Sequence, residues 1–139
     1  MPILNMVGDT VAQAQKMGAC KAGILATDGT IRTETYQRAC RAAGLSFAVP
    51  DDEAQRDVMR VIYEDIKAGR TPDMPRFNVA ANRLFDDGCD VIILGCTELS
   101  LLKKEGLLDH RFIDSMEILA YSAITACGKT PTGLTWSHL

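Results

Sequence analysis

The stretch Asp-Val-Ile-Ile-Leu-Gly-Cys-Thr-Glu-Leu, residues 90–99, decides the fold. Its apolar run from 91 to 94 predicts a parallel strand buried on both faces, and Thr97 predicts the start of a helix directly afterwards. Cys96 is therefore expected at the carboxyl end of a strand and the amino end of a helix, where backbone N–H groups and the helix dipole favour a thiolate. Such a thiol suits a nucleophile or a proton-transferring base. An inert cysteine that fills a turn is an equally open interpretation of the same spacing.

Outside this stretch, the chain continues to alternate apolar strands with amphipathic helices. The predicted strands cover residues 21–27, 45–49, 91–94 and 112–114. The first predicted helix is capped by Asp9 or Thr10 and ends near residue 18. Further helices are predicted at residues 29–43, 51–68, 76–86, 98–104 and 117–126, and the tail at 128–139 is expected to be irregular. This alternation is typical of an α/β domain in which a parallel four-stranded sheet carries helices on both faces.

Folds of this class bind ligands beyond the carboxyl ends of their strands. Two of the predicted strands end in polar turns, Thr-Asp-Gly-Thr at 27–30 and Gly-Cys-Thr-Glu at 95–98. If these two strands are neighbours in the sheet, both turns border one cleft. Tyr63 and Lys67 are four residues apart on the long helix and share a helical face. From the residues alone, both are expected on the solvated surface.

The composition excludes several classes of function. A net charge of −3, the lack of a basic cluster and an aromatic content of 6% argue against nucleic acid or an anionic membrane as a partner. The apolar runs are much shorter than a membrane span requires. Residues 1–6 lack the basic start and long apolar stretch of a secretory signal. We therefore expect a cytoplasmic protein with no membrane partner.

The cysteines point to free thiols. Five cysteines are scattered along the chain without a Cys-x-x-Cys pair, and both histidines stand alone. This pattern indicates neither a zinc site nor a disulfide framework, so no metal is expected. Free thiols fit a reducing cytoplasm. Apart from Cys96, each cysteine stands in an alanine- or glycine-rich context that favours the role of a small buried hydrophobic residue.

Three features of the chain together resemble one known family. They are Gly-Ile-Leu-Ala-Thr-Asp-Gly-Thr at 23–30, a tyrosine at position 36, and Ile-Leu-Gly-Cys-Thr-Glu-Leu at 93–99. In this combination and spacing they resemble the aspartate/glutamate racemase family. Members that use glutamate tend to carry a histidine at the position of Glu98. The sequence is therefore more similar to the aspartate racemase branch.

The resemblance implies an enzyme that inverts the α-carbon of aspartate or a close relative without pyridoxal phosphate, metal or another cofactor. In that family two cysteines face each other across a cleft between two similar α/β domains; one thiolate removes the α-proton while the opposite thiol protonates the other face. Cys96 corresponds to the catalytic thiol of the second domain, and its helix-terminal setting is expected to lower its pKa. The small amino-acid or dicarboxylate substrate is expected to contact Thr27, Asp28, Gly29, Thr30, Tyr63, Lys67, Thr97 and Glu98.

The resemblance covers the second half of the family's length. The first cysteine of the family lies in a Pro-Cys-Asn-Thr-like motif, and no such motif occurs in these 139 residues. We therefore expect residues 1–18 to join from a first domain, residues 19–115 to form the second α/β racemase domain, and residues 116–139 to form a helix and tail that pack on the first domain. The apolar surface left by a missing domain predicts a homodimer.

Several alternatives stay open on the sequence alone. The chain is also consistent with an inert truncated domain that binds a small carboxylate or only self-associates. A single thiolate could exchange an α-hydrogen without racemisation. Hydantoin racemases, maleate isomerases and arylmalonate decarboxylases share the scaffold. At the level of residues, Asp28 could bind an ammonium group or cap a helix, and Glu98 could serve as a favourable charge in the first helical turn.

Overall fold

Residues 5–129 are described in a computed structural model. The strands are β1 (Lys21–Leu25), β2 (Ser46–Ala48), β3 (Val91–Leu94) and β4 (Phe112–Asp114). The helices are α1 (Met6–Lys16), α2 (Asp28–Arg32), α3 (Thr35–Ala43), α4 (Asp52–Arg60), α5 (Met74–Asp86), α6 (Thr97–Lys104) and α7 (Ser115–Ala126), and a π-helical segment (Val61–Ile66) follows α4. The predicted irregular tail lies, from residue 130 onward, outside the described residues.

All four strands run parallel, in the order β2-β1-β3-β4. The register pairs Leu25 of β1 with Leu94 of β3, and Leu94 with Asp114 of β4. The predicted α/β class with a parallel four-stranded sheet is thereby confirmed. Since β1 and β3 are adjacent, the two polar turns that follow them emerge side by side from the same edge of the sheet.

The sheet separates two hydrophobic cores. Ile92 and Leu94 of β3 belong to the core covered by α4, α5 and α6. Val91 and Ile93 belong to the opposite core, covered by α1, α3 and α7. All four side chains are fully buried, as the uninterrupted apolar run of a two-sided strand predicts. Burying each such side chain contributes about 1.5 to 3 kcal/mol, so β3 is a rigid base for the turn that follows it.

The predicted single helix at 29–43 is wrong, because the structure breaks it into α2 and α3. Glu34 adopts a left-handed conformation with φ of 55° at the break. The hydroxyl of Thr33 donates to the carbonyl of Thr30 at 3.1 Å and bonds the Thr35 hydroxyl at 2.9 Å. Threonine side chains that bond nearby backbone in this way compete with helical hydrogen bonding, and the chain turns here.

The predicted helix at 51–68 is α-helical only as far as Arg60. The segment Val61–Ile66 forms a π-helix, in which the N–H of Lys67 donates to the carbonyl of Ile62, five residues earlier, at 2.9 Å. The wider turn allows the consecutive residues Val61 and Ile62 both to be fully buried. Segments of this kind are often found at functional sites. Here the π-helix carries Tyr63 and leads directly to Lys67.

The first helix begins earlier than the sequence predicts. Asn5 caps α1 by accepting a hydrogen bond from the N–H of Gly8 at 3.0 Å. Thr10, an expected cap, is instead buried and donates to the Met6 carbonyl at 2.7 Å. Asp9, the other expected cap, accepts from Ser122 of α7 at 3.0 Å and ties the two helices together. None of the helices between residues 5 and 129 is long and apolar enough to cross a membrane.

Candidate active site

The two polar turns are held together by the strands that precede them. The N–H of Gly95 donates to the carbonyl of Leu25 at 2.8 Å, which extends the β1–β3 pairing into the turns. A side chain at position 95 has no room, because a Cβ there would lie 2.9 Å from Cε2 of Tyr36 and 3.1 Å from Cβ of Ala26. Glycine is therefore the residue that lets the Cys96 turn pass over the buried tyrosine ring.

Cys96 occupies the capping position of α6 with extended backbone angles, φ −142° and ψ 157°. Its sulfur lies in front of the N–H groups of Glu98 and Leu99, which lower the pKa of the thiol. The hydroxyl of Ser100 donates to a carboxylate oxygen of Asp114 at 2.5 Å and lies 3.2 Å from the Cys96 carbonyl oxygen. Ser100 thus connects the Cys96 turn to the end of β4.

The expectation of a lowered pKa at Cys96 is wrong in the folded chain. Burial raises the pKa of Cys96 to about 11, and the nearby Glu98 carboxylate adds to the effect. The amides at the start of α6 act in the opposite direction but are outweighed, because the half-buried thiolate loses its hydration. Cys96 is therefore a protonated thiol at neutral pH.

Glu98 is the centre of a charged cluster beside Cys96. Its carboxylate accepts from the Thr97 hydroxyl at 3.1 Å and lies 3.5 Å from the Lys67 ammonium. The same ammonium stands 4.4 Å from the centre of the Tyr63 ring, a cation–π distance. Although burial acts to raise it, the pKa of Glu98 is lowered overall by hydrogen bonds from its own N–H and from Thr97 and by the Lys67 charge. Glu98 is therefore a carboxylate at neutral pH.

Tyr63 and Lys67 lie on the solvated surface, as the residues alone predicted, and Lys67 borders Glu98 there. Both remain accessible: Tyr63 is 47% exposed and the Lys67 side chain 42% exposed. The π-helix determines this placement, because an extra residue in the turn changes the direction of every side chain that follows it. The ammonium is available to a second carboxylate from solution.

The turn after β1 is organised by its threonines and by one residue from α4. The hydroxyls of Thr27 and Thr30 lie 3.2 Å apart, and α2 begins after Thr27 without a side-chain cap. The Gln55 side-chain amide donates to the Ala26 carbonyl and to the Asp28 carboxylate, both at 2.9 Å. Gln55 thus holds Asp28 in place, and helix capping does not explain this turn.

The sequence did not single out Gln55. The sequence offered one signal for Gln55: it is a polar residue next to the apolar stripe of the long helix, between Ala54 and Val58. To use that signal, one must know which loop the helix packs against.

Gly29 faces open space, with no atom within 4 Å of a Cβ placed on it. On the outer side of Asp28 a groove of about 470 Å³ opens, lined by Asp28, Ile31, Arg32, Val49, Pro50, Asp52, Gln55 and Arg56.

The other four cysteines lie away from this cluster. Cys40 and Cys89 are buried, and burial raises the pKa of Cys40 and takes that of Cys89 to about 11. Cys20 and Cys127 are exposed, and all five thiols are free. Across the described range, no three His, Cys, Asp or Glu side chains are grouped closely enough to hold a metal ion.

Comparison with known sequences gives one consistent family. The profile of the Asp/Glu/Hydantoin racemase family matches residues 1–123. A curated protein of Pectobacterium carotovorum subsp. carotovorum, named as an uncharacterized protein in the pnlA 3′ region, is 30% identical over 119 residues. That similarity covers 84% of this chain and 79% of the other protein.

Comparison with solved structures agrees. A candidate Asp/Glu racemase from Yersinia pestis is similar with a TM-score of 0.80 at 27% identity. An aspartate racemase homologue from Pyrococcus horikoshii OT3 gives 0.80 at 26%, and the Picrophilus torridus aspartate racemase gives 0.68 at 25%. Each similarity covers 93% of this chain but 57%, 57% and 54% of the three solved chains. This chain therefore spans just over half of their length.

The charge of Glu98 is expected to restrain the ionisation of Cys96. Changing Glu98→Gln removes a negative neighbour and lowers the pKa of the thiol, so alkylation of Cys96 by iodoacetamide at pH 8 becomes about tenfold faster, equivalent to about one pKa unit. In the unchanged protein the rate is expected to climb with pH without a plateau below about 11. Peptide-resolved mass spectrometry measures the rate. Glu105→Gln, at the far end of α6, is the control, and an equal or slower rate in Glu98→Gln would contradict the assignment.

Proposed function

The chain belongs to the Asp/Glu/Hydantoin racemase family, and from this premise we propose that it acts in cofactor-independent racemisation of an amino acid of the aspartate type. One observation carries the proposal: a thiol, a carboxylate and an accessible ammonium converge at the edge of the sheet where the Thr27–Thr30 turn also lies. A reducing compartment, the cytoplasm, would keep the Cys96 thiol free for this role.

The cluster offers a place for each end of a dicarboxylate substrate. The hydroxyls of Thr27 and Thr30 and the N–H groups of their turn suit the α-carboxylate. The Lys67 ammonium suits the second carboxylate, which would compete with Glu98 for it. Asp28, held by Gln55, suits the α-ammonium group. This division of roles is the reason for proposing aspartate over an amino acid with an uncharged side chain.

Cys96 is proposed as one of two acid–base groups. In one direction its thiolate takes the α-proton, the C–H electron pair stays on the α-carbon, and a second acid delivers a proton to the opposite face. In the other direction the Cys96 thiol gives up its proton and the second group takes one away. The raised pKa of Cys96 favours the second direction at rest, because the thiol already holds the proton that it must donate.

The second acid is proposed to lie in another part of the complete protein or in a partner molecule. The relatives of known structure are longer than this chain. The second candidate function follows if no such group is present: a domain that binds a small carboxylate, or one that exchanges the α-hydrogen on a single face.

Proton NMR of L- and D-aspartate in D₂O tests the assignment of Cys96. The protein is expected to remove the α-proton signal, and Cys96→Ser is expected to abolish this exchange because the hydroxyl of serine is a far weaker acid–base group than a thiol. Cys20→Ser, at an exposed cysteine away from the site, is the control. Chiral analysis of the same samples shows whether inversion accompanies exchange and hence whether a second acid is present. Exchange that persists in Cys96→Ser would overturn the role of this thiol; no exchange in any variant would favour the inert carboxylate-binding alternative.

Lys67 is expected to set the preference for a second carboxylate. Because an ion pair of an accessible group is worth at most about 1 kcal/mol, Lys67→Gln should weaken aspartate binding by up to about fivefold. Binding of alanine, which lacks the second carboxylate, should change little. Isothermal titration calorimetry measures both, and Lys104→Gln on α6 provides a lysine control. Equal losses for the two amino acids would argue against this role for Lys67.

We also propose that the chain forms a homodimer through α7. This helix is apolar in composition, yet Ser115 and Ile118 are its only buried residues between 115 and 126, and Met116 and Ile124 are 38% and 37% exposed. Exposed apolar surface of this kind recruits a partner. Light scattering after size-exclusion chromatography is expected to give about twice 15.1 kDa. Met116→Glu with Ile124→Glu should give a monomer, whereas Val79→Glu on α5 should not; a monomer for the unchanged chain at high concentration would contradict the proposal.

A further inference from the structure

Gln55 connects α4 to the polar turn that follows β1. Its side-chain nitrogen donates to the carbonyl of Ala26 and to the carboxylate of Asp28, each at 2.9 Å. Ala26 is fully buried, so its carbonyl is a fixed point of the fold, whereas Asp28 is exposed. Both protons of the amide are used, and together they tie the exposed carboxylate to that fixed point.

The amide of Gln55 has one orientation that suits these two neighbours. A carbonyl and a carboxylate only accept hydrogen bonds, so the amide nitrogen must point at them and Oε1 must point away. Oε1 is buried and has no hydrogen-bond partner among residues 5–129. A buried acceptor without a partner is destabilising, and an apolar side chain of the same length would avoid it. Position 55 therefore keeps its two donors at a cost in stability.

The contact from Gln55 orients Asp28 without neutralising it. None of the ion pairs formed within the described range includes Asp28. A neutral amide leaves the carboxylate its full charge and its remaining lone pairs, whereas an arginine in place of Gln55 would compensate that charge. Such a carboxylate suits a ligand cation with several N–H donors.

The charges of the groove beside Asp28 do not by themselves select a cation. Arg32 and Arg56 line this groove together with Asp28 and Asp52. Because two positive and two negative charges balance, a cationic group gains more from direct contact with one oriented carboxylate than from the general field. A side chain that is already held also loses less conformational freedom on binding. The affinity for a cation therefore depends on how Asp28 is held.

We propose that Gln55 is a positioning residue for Asp28, and that this pair makes the site prefer substrates with a primary ammonium group over dicarboxylates that lack one. The inference rests on the proposed function, in which Asp28 binds the α-ammonium group. A dicarboxylate without nitrogen can still contact Lys67 and the threonine hydroxyls. It then brings negative charge close to Asp28 without an ammonium to compensate it, and this repulsion adds to the selectivity.

The test compares L-aspartate with succinate, which has the same two carboxylates and carbon chain but no ammonium group. Binding to the unchanged protein and to Gln55→Met is followed by ¹H–¹⁵N NMR, which measures weak dissociation constants. Methionine has the length of glutamine and no N–H donors. The unchanged protein is expected to prefer aspartate, and Gln55→Met should reduce this preference by up to about fivefold through weaker aspartate binding. An equal preference in the two proteins overturns the proposal, as does an unchanged protein that does not prefer aspartate.

Gln15→Met is the matched control, because Gln15 also donates to a backbone carbonyl, that of Ala43, at 2.8 Å, between α1 and α3. It should leave both dissociation constants unchanged. The same spectra report whether each variant is folded. If Gln55→Met is unfolded, Gln55→Asn replaces it: its amide is one methylene shorter and cannot reach both Ala26 and Asp28, so the same loss is expected. A full preference for aspartate in that variant overturns the proposal.

A double-mutant cycle separates positioning from packing. Asp28→Asn removes the charge and should abolish the preference for aspartate on its own. Adding Gln55→Met to Asp28→Asn should then have no further effect on the preference, because Gln55 acts through the carboxylate. A loss that adds to the loss in Asp28→Asn overturns the positioning role.

Binding requires no turnover, so the two proposals fail separately. Failure of the racemase proposal appears as absent α-proton exchange while the preference for aspartate still depends on Gln55. Failure of the Gln55 assignment appears as exchange that depends on Cys96 while Gln55→Met leaves the preference unchanged.

Discussion

The parallel pairing of β1 with β3 is the constraint on which the site depends. It places Leu25 beside Leu94, and the next bond, from Gly95 to Leu25, carries the pairing into the two turns. Each strand is buried between two layers of helices, so neither turn can shift without moving a core. The residues that converge there come from distant parts of the chain, yet their relative positions are fixed by one sheet register.

A competition between burial and local polarity determines the state of Cys96. The start of α6 provides amides that favour a thiolate, and on sequence grounds this effect should dominate. In the folded chain the loss of water around the sulfur and the charge of Glu98 outweigh it, and the pKa of Cys96 rises to about 11. A helix start is therefore not sufficient to activate a cysteine; the donors must also compensate for the lost hydration.

Sequence patterns predicted the parts of the fold that local chemistry determines. The strands at 91–94 and 112–114 have the predicted bounds, because an apolar run between polar turns has few alternatives. The break at Glu34 and the π-helix before Lys67 were not predicted, since both depend on how a helix must meet the core around it. Gln55 was missed for the same reason: its function arises from a contact with a carbonyl 29 residues away. The sequence predicted that the two polar turns would border one edge of the sheet if their strands were neighbours, whereas the charge of Cys96 and Glu98 depends on burial and contacts that only the fold shows.

The π-helix, Glu98 and the buried thiol together suggest how substrate binding and proton transfer are coupled on the proposed mechanism. A substrate carboxylate that pairs with the Lys67 ammonium weakens the ion pair between Lys67 and Glu98. It also brings a second negative charge close to Cys96. Both changes disfavour the thiolate, so substrate binding raises the pKa of Cys96. The direction in which Cys96 donates to a carbanion is then favoured on electrostatic grounds. The reverse direction requires donors that act on the thiolate without adding charge, which the amides of α6 can provide.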